Sequence, residues 1–152
     1  REQPRSRGLG DVYKRQAVAM ALANDHGINK PFCFNRKEIK DHGERGLIIG
    51  AELTGKVMVV DDVITAGTAI CEASDIITTK GAKLAGIAVA MDRQERGAGP
   101  LSAIQEIEQH HHIRVVSIIN LQDVVNYLQK DDGGIIKQQI KSIVAYHREY
   151  GI

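Results

Sequence analysis

Residues 57–70, VMVVDDVITAGTAI, constrain the fold more than any other stretch of the chain. A short apolar run rich in β-branched residues suits a strand buried in a parallel sheet. It ends in two adjacent acids, Asp61 and Asp62, and then turns through Thr65-Ala66-Gly67-Thr68-Ala69 into a helical pattern. Open α/β sheets bind ligands at the C-terminal ends of their strands. Bare amides, hydroxyls and a helix N-terminus together make an anion site, and Gly67 lets the main chain approach a phosphate closely. The stretch therefore reads as a grip for a ribose phosphate, with carboxylates accepting from sugar hydroxyls and amides donating to the phosphate.

The rest of the text supports an α/β fold. The 152 residues are enough for one domain with a real core, and the absence of Trp suits an aliphatic α/β sandwich. Residues 1–16, REQPRSRGLGDVYKRQ, are polar and without period, and are expected to be a leader outside the fold, disordered or foreign to it. The core is expected over 17–152. Its predicted elements are a helix over 17–27, a strand over 30–36, a charged loop over 37–46, an apolar segment over 47–51 and the central strand over 57–61. There follow a helix over 68–79, a strand over 82–91 buried on both faces, a loop over 92–99 and a helix over 101–109. A strand over 114–119 and helices over 121–128 and 135–150 complete the pattern. Strands alternating with helices predict a mostly parallel sheet with right-handed crossovers, flanked by helices.

Several function classes are disfavoured. A net charge of +1 provides no global field for nucleic acid. No run approaches the roughly 18 apolar residues of a membrane helix, and the N-terminal text lacks the apolar core of a signal peptide. A cytoplasmic protein without membrane or nucleic-acid partners is expected, with Cys33 and Cys71 as reduced thiols. His110-His111-His112 is a poor metal cluster, because neighbours on a helix point in different directions; a helix C-terminus that favours positive charge explains the run better. Lys137, Lys141 and the 146–150 region read as an ordinary amphipathic terminal helix.

Two further stretches carry chemistry. Arg36, Lys37, Lys40 and His42 form a basic cluster between Asn35 and Gly43, apt for clamping pyrophosphate, and Gly43 and Gly46 suit a mobile lid. Arg93, in Asp92-Arg93-Gln94-Glu95-Arg96-Gly97, offers a fork that matches a carboxylate with paired bonds.

Together these motifs resemble a known family. VVDDVITAGTA is similar to the phosphoribosyl-pyrophosphate (PRPP) signature of type I phosphoribosyltransferases, and CFNRKEIKDHGERG and AMDRQERG resemble the flanking text of the bacterial orotate-using branch. The resemblance runs from about Ala17 to the C-terminus. It implies an α/β type I phosphoribosyltransferase fold and a pentosyltransferase of de novo pyrimidine biosynthesis, making orotidine 5′-monophosphate and pyrophosphate from orotate and PRPP. Asp61 and Asp62 would hold the ribose hydroxyls, and Val63, Ile64, Thr65, Ala66, Gly67, Thr68 and Ala69 would wrap the 5-phosphate. Arg36, Lys37, Lys40 and His42 would contact PRPP from the lid, with Lys40 and His42 joining the two acids in catalysis. Thr65 and Arg93 would touch orotate. Mg²⁺ would be carried by PRPP and water near Asp61 and Asp62, without a direct protein ligand. A homodimer is implied, with Arg36 serving the partner's site. Family chains begin well upstream of Ala17, so a C-terminal part is expected here, lacking an N-terminal hood and the first core strand and weakly active or inactive. The alternatives are a phosphoribosyltransferase for another base, against which DRQERG argues, and a non-catalytic PRPP-binding regulator, against which the Lys37, Lys40, His42 cluster argues.

Overall fold

The computed structural model describes residues 7–35, 48–97, 99–130 and 134–152, in two compact units, Arg1–Thr54 and Gly55–Ile152. The lid residues Arg36, Lys37, Lys40 and His42 lie outside the described residues.

In the first unit, helix α1 (Arg7–His26) starts well before Ala17, because Tyr13-Lys14-Arg15-Gln16 are adequate helix formers that lead into an alanine-rich stretch. Gly27, at φ 66, ends it, and the amides of Gly27 and Ile28 donate back to Ala23 and Leu22. Strand β1 (Cys33–Asn35) pairs antiparallel with β2 (Ile48–Gly50), Phe34 facing Ile49. The described strand is shorter than the expected 30–36 and departs from parallel pairing. Pro31 has no amide to give a ladder, and the bond from the Ala51 amide to the Phe32 carbonyl closes the pair there.

The second unit holds the parallel sheet. Strand β3 (Lys56–Val63) is followed by α2 (Thr68–Thr79), β4 (Lys83–Asp92), α3 (Ala103–His111), β5 (Arg114–Asn120), α4 (Leu121–Leu128) and α5 (Gly134–Tyr150). The strand order is β3-β4-β5, parallel throughout, with Val59 opposite Ile87 and Ile87 opposite Val115. The expected α/β organisation is present, and the limits of α2 and α4 match the sequence reading. Helix α3 starts later than expected, at Ala103, because Ser102 caps it: its hydroxyl accepts from the Gln105 amide while the Gln105 side chain accepts from the Ser102 amide. Asn120 and Asp123 form the same reciprocal cap on α4.

Successive strands added in one direction by right-handed crossovers place both crossover helices on one side of the sheet. The burial pattern agrees. Ile87 and Val89, two residues apart on β4, are 1% and 2% exposed, and they share the core with Ile70 and Ile77 of α2 and Ile107 of α3. The other face is open: Met58, Val116 and Ile118 are 53%, 57% and 82% exposed. The expectation that residues 82–91 are buried on both faces is therefore corrected. Within this unit the helices pack on one face, and Ala90, one residue on from Val89, is exposed on the strand's other side. Among the described residues no helix is long and apolar enough to cross a membrane.

Ile87 is among the largest fully buried side chains. Ile87→Ala is expected to cost about 2–5 kcal/mol through lost burial and the cavity left behind. Urea unfolding of the two chains measures it, and Val116→Ala, on the open face, should cost far less.

Candidate active site

The site is built where β3 gives way to α2. Pairing of Val63 with Met91 carries β3 past both acids. Asp61 and Asp62 thus occupy the last turns of the strand ladder and, being consecutive on a strand, point to opposite faces. Asp61 is half-buried on the helix-covered side, in register with Val89, and Asp62 is exposed. Each carboxylate is oriented by the next residue: the Asp62 amide donates to Asp61 Oδ1 at 2.8 Å, and the Val63 amide to Asp62 Oδ1 at 2.9 Å. The adjacency of the two acids in sequence does not make one compact carboxylate cluster.

Ile64, 7% exposed, anchors the turn in the core, whereas Thr65, Ala66, Thr68 and Ala69 are exposed and Gly67 is half-buried. Gly67 is the N-cap of α2, at φ 73, and supplies no side-chain cap. Its carbonyl accepts from the amides of Ile70 and Cys71, each at 3.0 Å, which starts the helix. A Cβ at Gly67 would stand 3.1 Å from Ile107 Cδ1 of α3. The glycine thus meets a positive φ and a close approach together. With no acidic residue in the first turn of α2, the helix N-terminus presents its dipole and amides without a competing carboxylate, the arrangement that favours a phosphate.

The third predicted region, Asp92–Gly97, leaves the C-terminal end of the central strand β4, close in the sheet to the end of β3. Gln94 turns it at φ 52, with its amide on Asp92 Oδ1 at 2.8 Å. Arg93 does not extend alone into solvent. Its Nη2 donates to the Tyr146 hydroxyl at 3.0 Å and pairs with Glu95 Oε1, while the Tyr146 hydroxyl donates to the same Glu95 oxygen at 2.7 Å. That hydrogen bond holds the Tyr146 hydroxyl above the usual phenol range, because ionisation would give up the proton donated to Glu95. Gly97 packs where Glu106 of α3 turns back to accept from the Gly99 amide at 2.8 Å. Sequence reasoning missed Glu95 and Tyr146. The available signal was slight: Tyr146 and Tyr150 stand one helical turn apart, with ring centroids 4.8 Å apart, but nothing local connects them with Arg93.

The histidine run falls at the end of α3. His110 and His111 stand in its last turn, and His112 is the C-cap at φ 53. His111 Nδ1 lies 3.4 Å from Ser74 Oγ of α2, and its Nε2 is buried with no hydrogen-bond partner among the described residues. Burial, followed by the neighbouring His110, lowers its pKa, opposed by Asp75. Cys33 and Cys71 are both free thiols, and burial pushes the Cys33 thiol up.

The strand, the acids, the glycine-capped helix and the parallel sheet define a class. Residues 17–117 match the phosphoribosyl transferase domain. The chain is 53% identical over 148 residues to the orotate phosphoribosyltransferase of Photobacterium profundum, covering 95% of this chain and 68% of that protein. The Escherichia coli orotate phosphoribosyltransferase is 50% identical over the same shares. A crystal structure of the Francisella tularensis orotate phosphoribosyltransferase superposes with a TM-score of 0.73 at 32% identity, over 90% of this chain and 64% of that one. The chain belongs to the orotate phosphoribosyltransferase family.

Two expected outcomes follow from this geometry. Gly67→Ala should destabilise the chain by about 1–2 kcal/mol, from the left-handed backbone it imposes on alanine, and should weaken anion binding at the turn; urea unfolding and titration with inorganic phosphate read the two effects. The His111 pKa is depressed on folding. Its contribution is therefore complete above the unfolded value of about 6.5 and is lost as pH falls from there through the folded value. Stability measured from about pH 7 to about pH 5 should fall more steeply in the native chain than in His111→Gln.

Proposed function

We propose that the chain binds PRPP at the β3–α2 turn and transfers its phosphoribosyl group to orotate, giving orotidine 5′-monophosphate and pyrophosphate. The observation that carries this reading is the exposed turn after Asp61 and Asp62, capped by left-handed Gly67 at the start of a helix without first-turn acids. Family membership at about half identity supports orotate over another base and an enzyme over a regulator. In this reading Val63 to Ala69 surround the 5-phosphate with amides and the Thr65 and Thr68 hydroxyls. Asp61 and Asp62 accept from the ribose hydroxyls, approaching the sugar from the two sides of the strand end. As pyrophosphate departs, C1 of the ribose gains oxocarbenium character. Little covalent work falls to the protein, which positions the partners and stabilises the separating charges.

Arg36, Lys37, Lys40 and His42 are assigned to PRPP and its leaving group. They act as a lid that closes over the pyrophosphate, within a homodimer in which Arg36 reaches the partner's site. Arg93 and Thr65 are assigned to orotate. The hard carboxylate oxygens of Asp61 and Asp62, each already oriented by a backbone amide, suit Mg²⁺ held through water and PRPP. When bound, Mg²⁺ supplies charge neutralisation of the pyrophosphate. A cytoplasmic enzyme of pyrimidine biosynthesis completes the reading. Residues 1–16 are assigned outside the catalytic core because the phosphoribosyl transferase domain match begins at residue 17, although the similarity to the relatives, over 95% of the chain, takes in part of them.

Calorimetric titration with PRPP and Mg²⁺ tests the donor site, and the loss of orotate absorbance tests transfer. Binding of PRPP is expected, with Asp62→Asn weakening it about tenfold or more through loss of charge-assisted hydrogen bonds. Uracil and adenine should give no product. No heat from PRPP with Mg²⁺ would overturn the assignment.

A further inference from the structure

The loop that carries Arg93 is held along its length by the end of the chain. The Arg96 amide donates to the Tyr150 carbonyl at 2.8 Å, the Ile152 amide donates to the Gln94 carbonyl at 3.1 Å, and Arg96 Nη2 donates to the Gly151 carbonyl at 3.2 Å. Glu95 and Gly151 form an isolated antiparallel bridge. Residues more than fifty positions apart are thus stitched into a short two-stranded contact, so the loop takes its shape from the C-terminus as well as from β4. Onto this backbone contact the Tyr146 hydroxyl adds a side-chain one.

We propose that Tyr146 is a positioning residue for Arg93, fixing the plane of its guanidinium so that its Nη1 and Nε donors face the carboxylate-bearing base. A phenol hydroxyl has one proton. Here that proton goes to Glu95 Oε1, and the oxygen accepts from Arg93 Nη2, so the hydroxyl orients both partners at once. The ion pair alone would not do this. Arg93 and Glu95 side chains are 36% and 20% exposed, and a partly exposed pair without further anchoring is worth little and tolerates many geometries. The added hydroxyl turns a pair into a triangle with one low-energy arrangement. Both contacts that reach the guanidinium fall on Nη2, which leaves the N–H donors of Nη1 and Nε for another partner. With the guanidinium held at Nη2, those donors keep a fixed direction toward an oxygen of the base. Glu95 also removes part of the charge that would otherwise draw PRPP phosphates to Arg93, which keeps this cation for the base.

The proposal rests on the assignment of Arg93 to orotate, and its test separates the two. Tyr146→Phe removes only the hydroxyl and keeps the ring beside Tyr150. Titrations with orotate and with PRPP plus Mg²⁺, on the native chain and on Tyr146→Phe, give the first readout. Orotate binding is expected to weaken about three- to tenfold, the loss of one hydrogen bond, with PRPP binding unchanged. In the ligand-free chain, the Arg93 guanidinium NMR signals give the second. Rotation is expected to be hindered in the native chain and freed in Tyr146→Phe, with the urea midpoint unchanged. Native-like orotate affinity in the variant, or equal losses for orotate and PRPP, or unaltered guanidinium signals, would each overturn the positioning role while leaving the Arg93 assignment standing. A native chain that binds PRPP and no orotate would overturn both.

Discussion

The left-handed turn at Gly67 is the constraint on which the site hangs. Between Val63 and Thr68 the backbone must leave an extended ladder and enter a helix, and it does so through a residue at φ 73. At the same point Ile107 of α3 stands 3.1 Å from where a Cβ on residue 67 would be. A side chain there would strain the backbone and crowd the Ile107 methyl against it. The conformation of the turn and its packing against α3 thus both favour glycine at this position. Ile64 and Ile70, both buried, bracket the exposed stretch Thr65–Ala69. Anchored ends with an exposed, preformed middle are what a ligand-binding turn needs, because less ordering entropy is then lost when the ligand arrives.

The remainder of the site depends on where neighbouring strand ends lie. Parallel pairing of β3, β4 and β5 brings Asp61, Asp92 and Asn120 to the same end of the sheet. Three loops thus open on one edge: the phosphate turn, the Arg93 loop and the cap of α4. Gln94 Oε1 accepts from the Gln122 amide at the start of α4, at 3.2 Å, and the C-terminal residues close the Arg93 loop from the other side. The Arg93 loop is therefore supported by α3, α4 and the end of the chain. Such long-range support fixes the path of a loop that local sequence alone would leave open.

Local signals read well where the physics was local. The helices over Thr68–Thr79 and Leu121–Leu128 were legible from apolar period and breaker residues, and the turn after Asp62 was legible from glycine and hydroxyl chemistry. Strand limits were less so. Residues 57–60 form the apolar run and the strand is expected over 57–61, yet β3 extends to Val63 because Met91 pairs with it. The apolar text of residues 82–91 suggested burial on both faces. In the structure the second face is open, since apolar composition states what a strand tolerates and not what covers it. The start of α1 was misplaced because a composition change at residue 16 is not a helix stop; no Gly, Pro or capping signal stands between Tyr13 and Ala17.

The chain's own residues determined the type and order of the elements, the position of the phosphate turn and the family. Each of these is written in patterns a few residues long: period, capping, turn chemistry and a motif. Tertiary structure alone decided that Arg93 leans on Tyr146 and Glu95, that Asp61 and Asp62 face opposite sides, and that Ile87 is enclosed while Ile118 is not. These facts depend on strand register and on chain closure between residues as far apart as Gln94 and Ile152, and a pairing over such a distance leaves no periodic mark on the sequence near either partner.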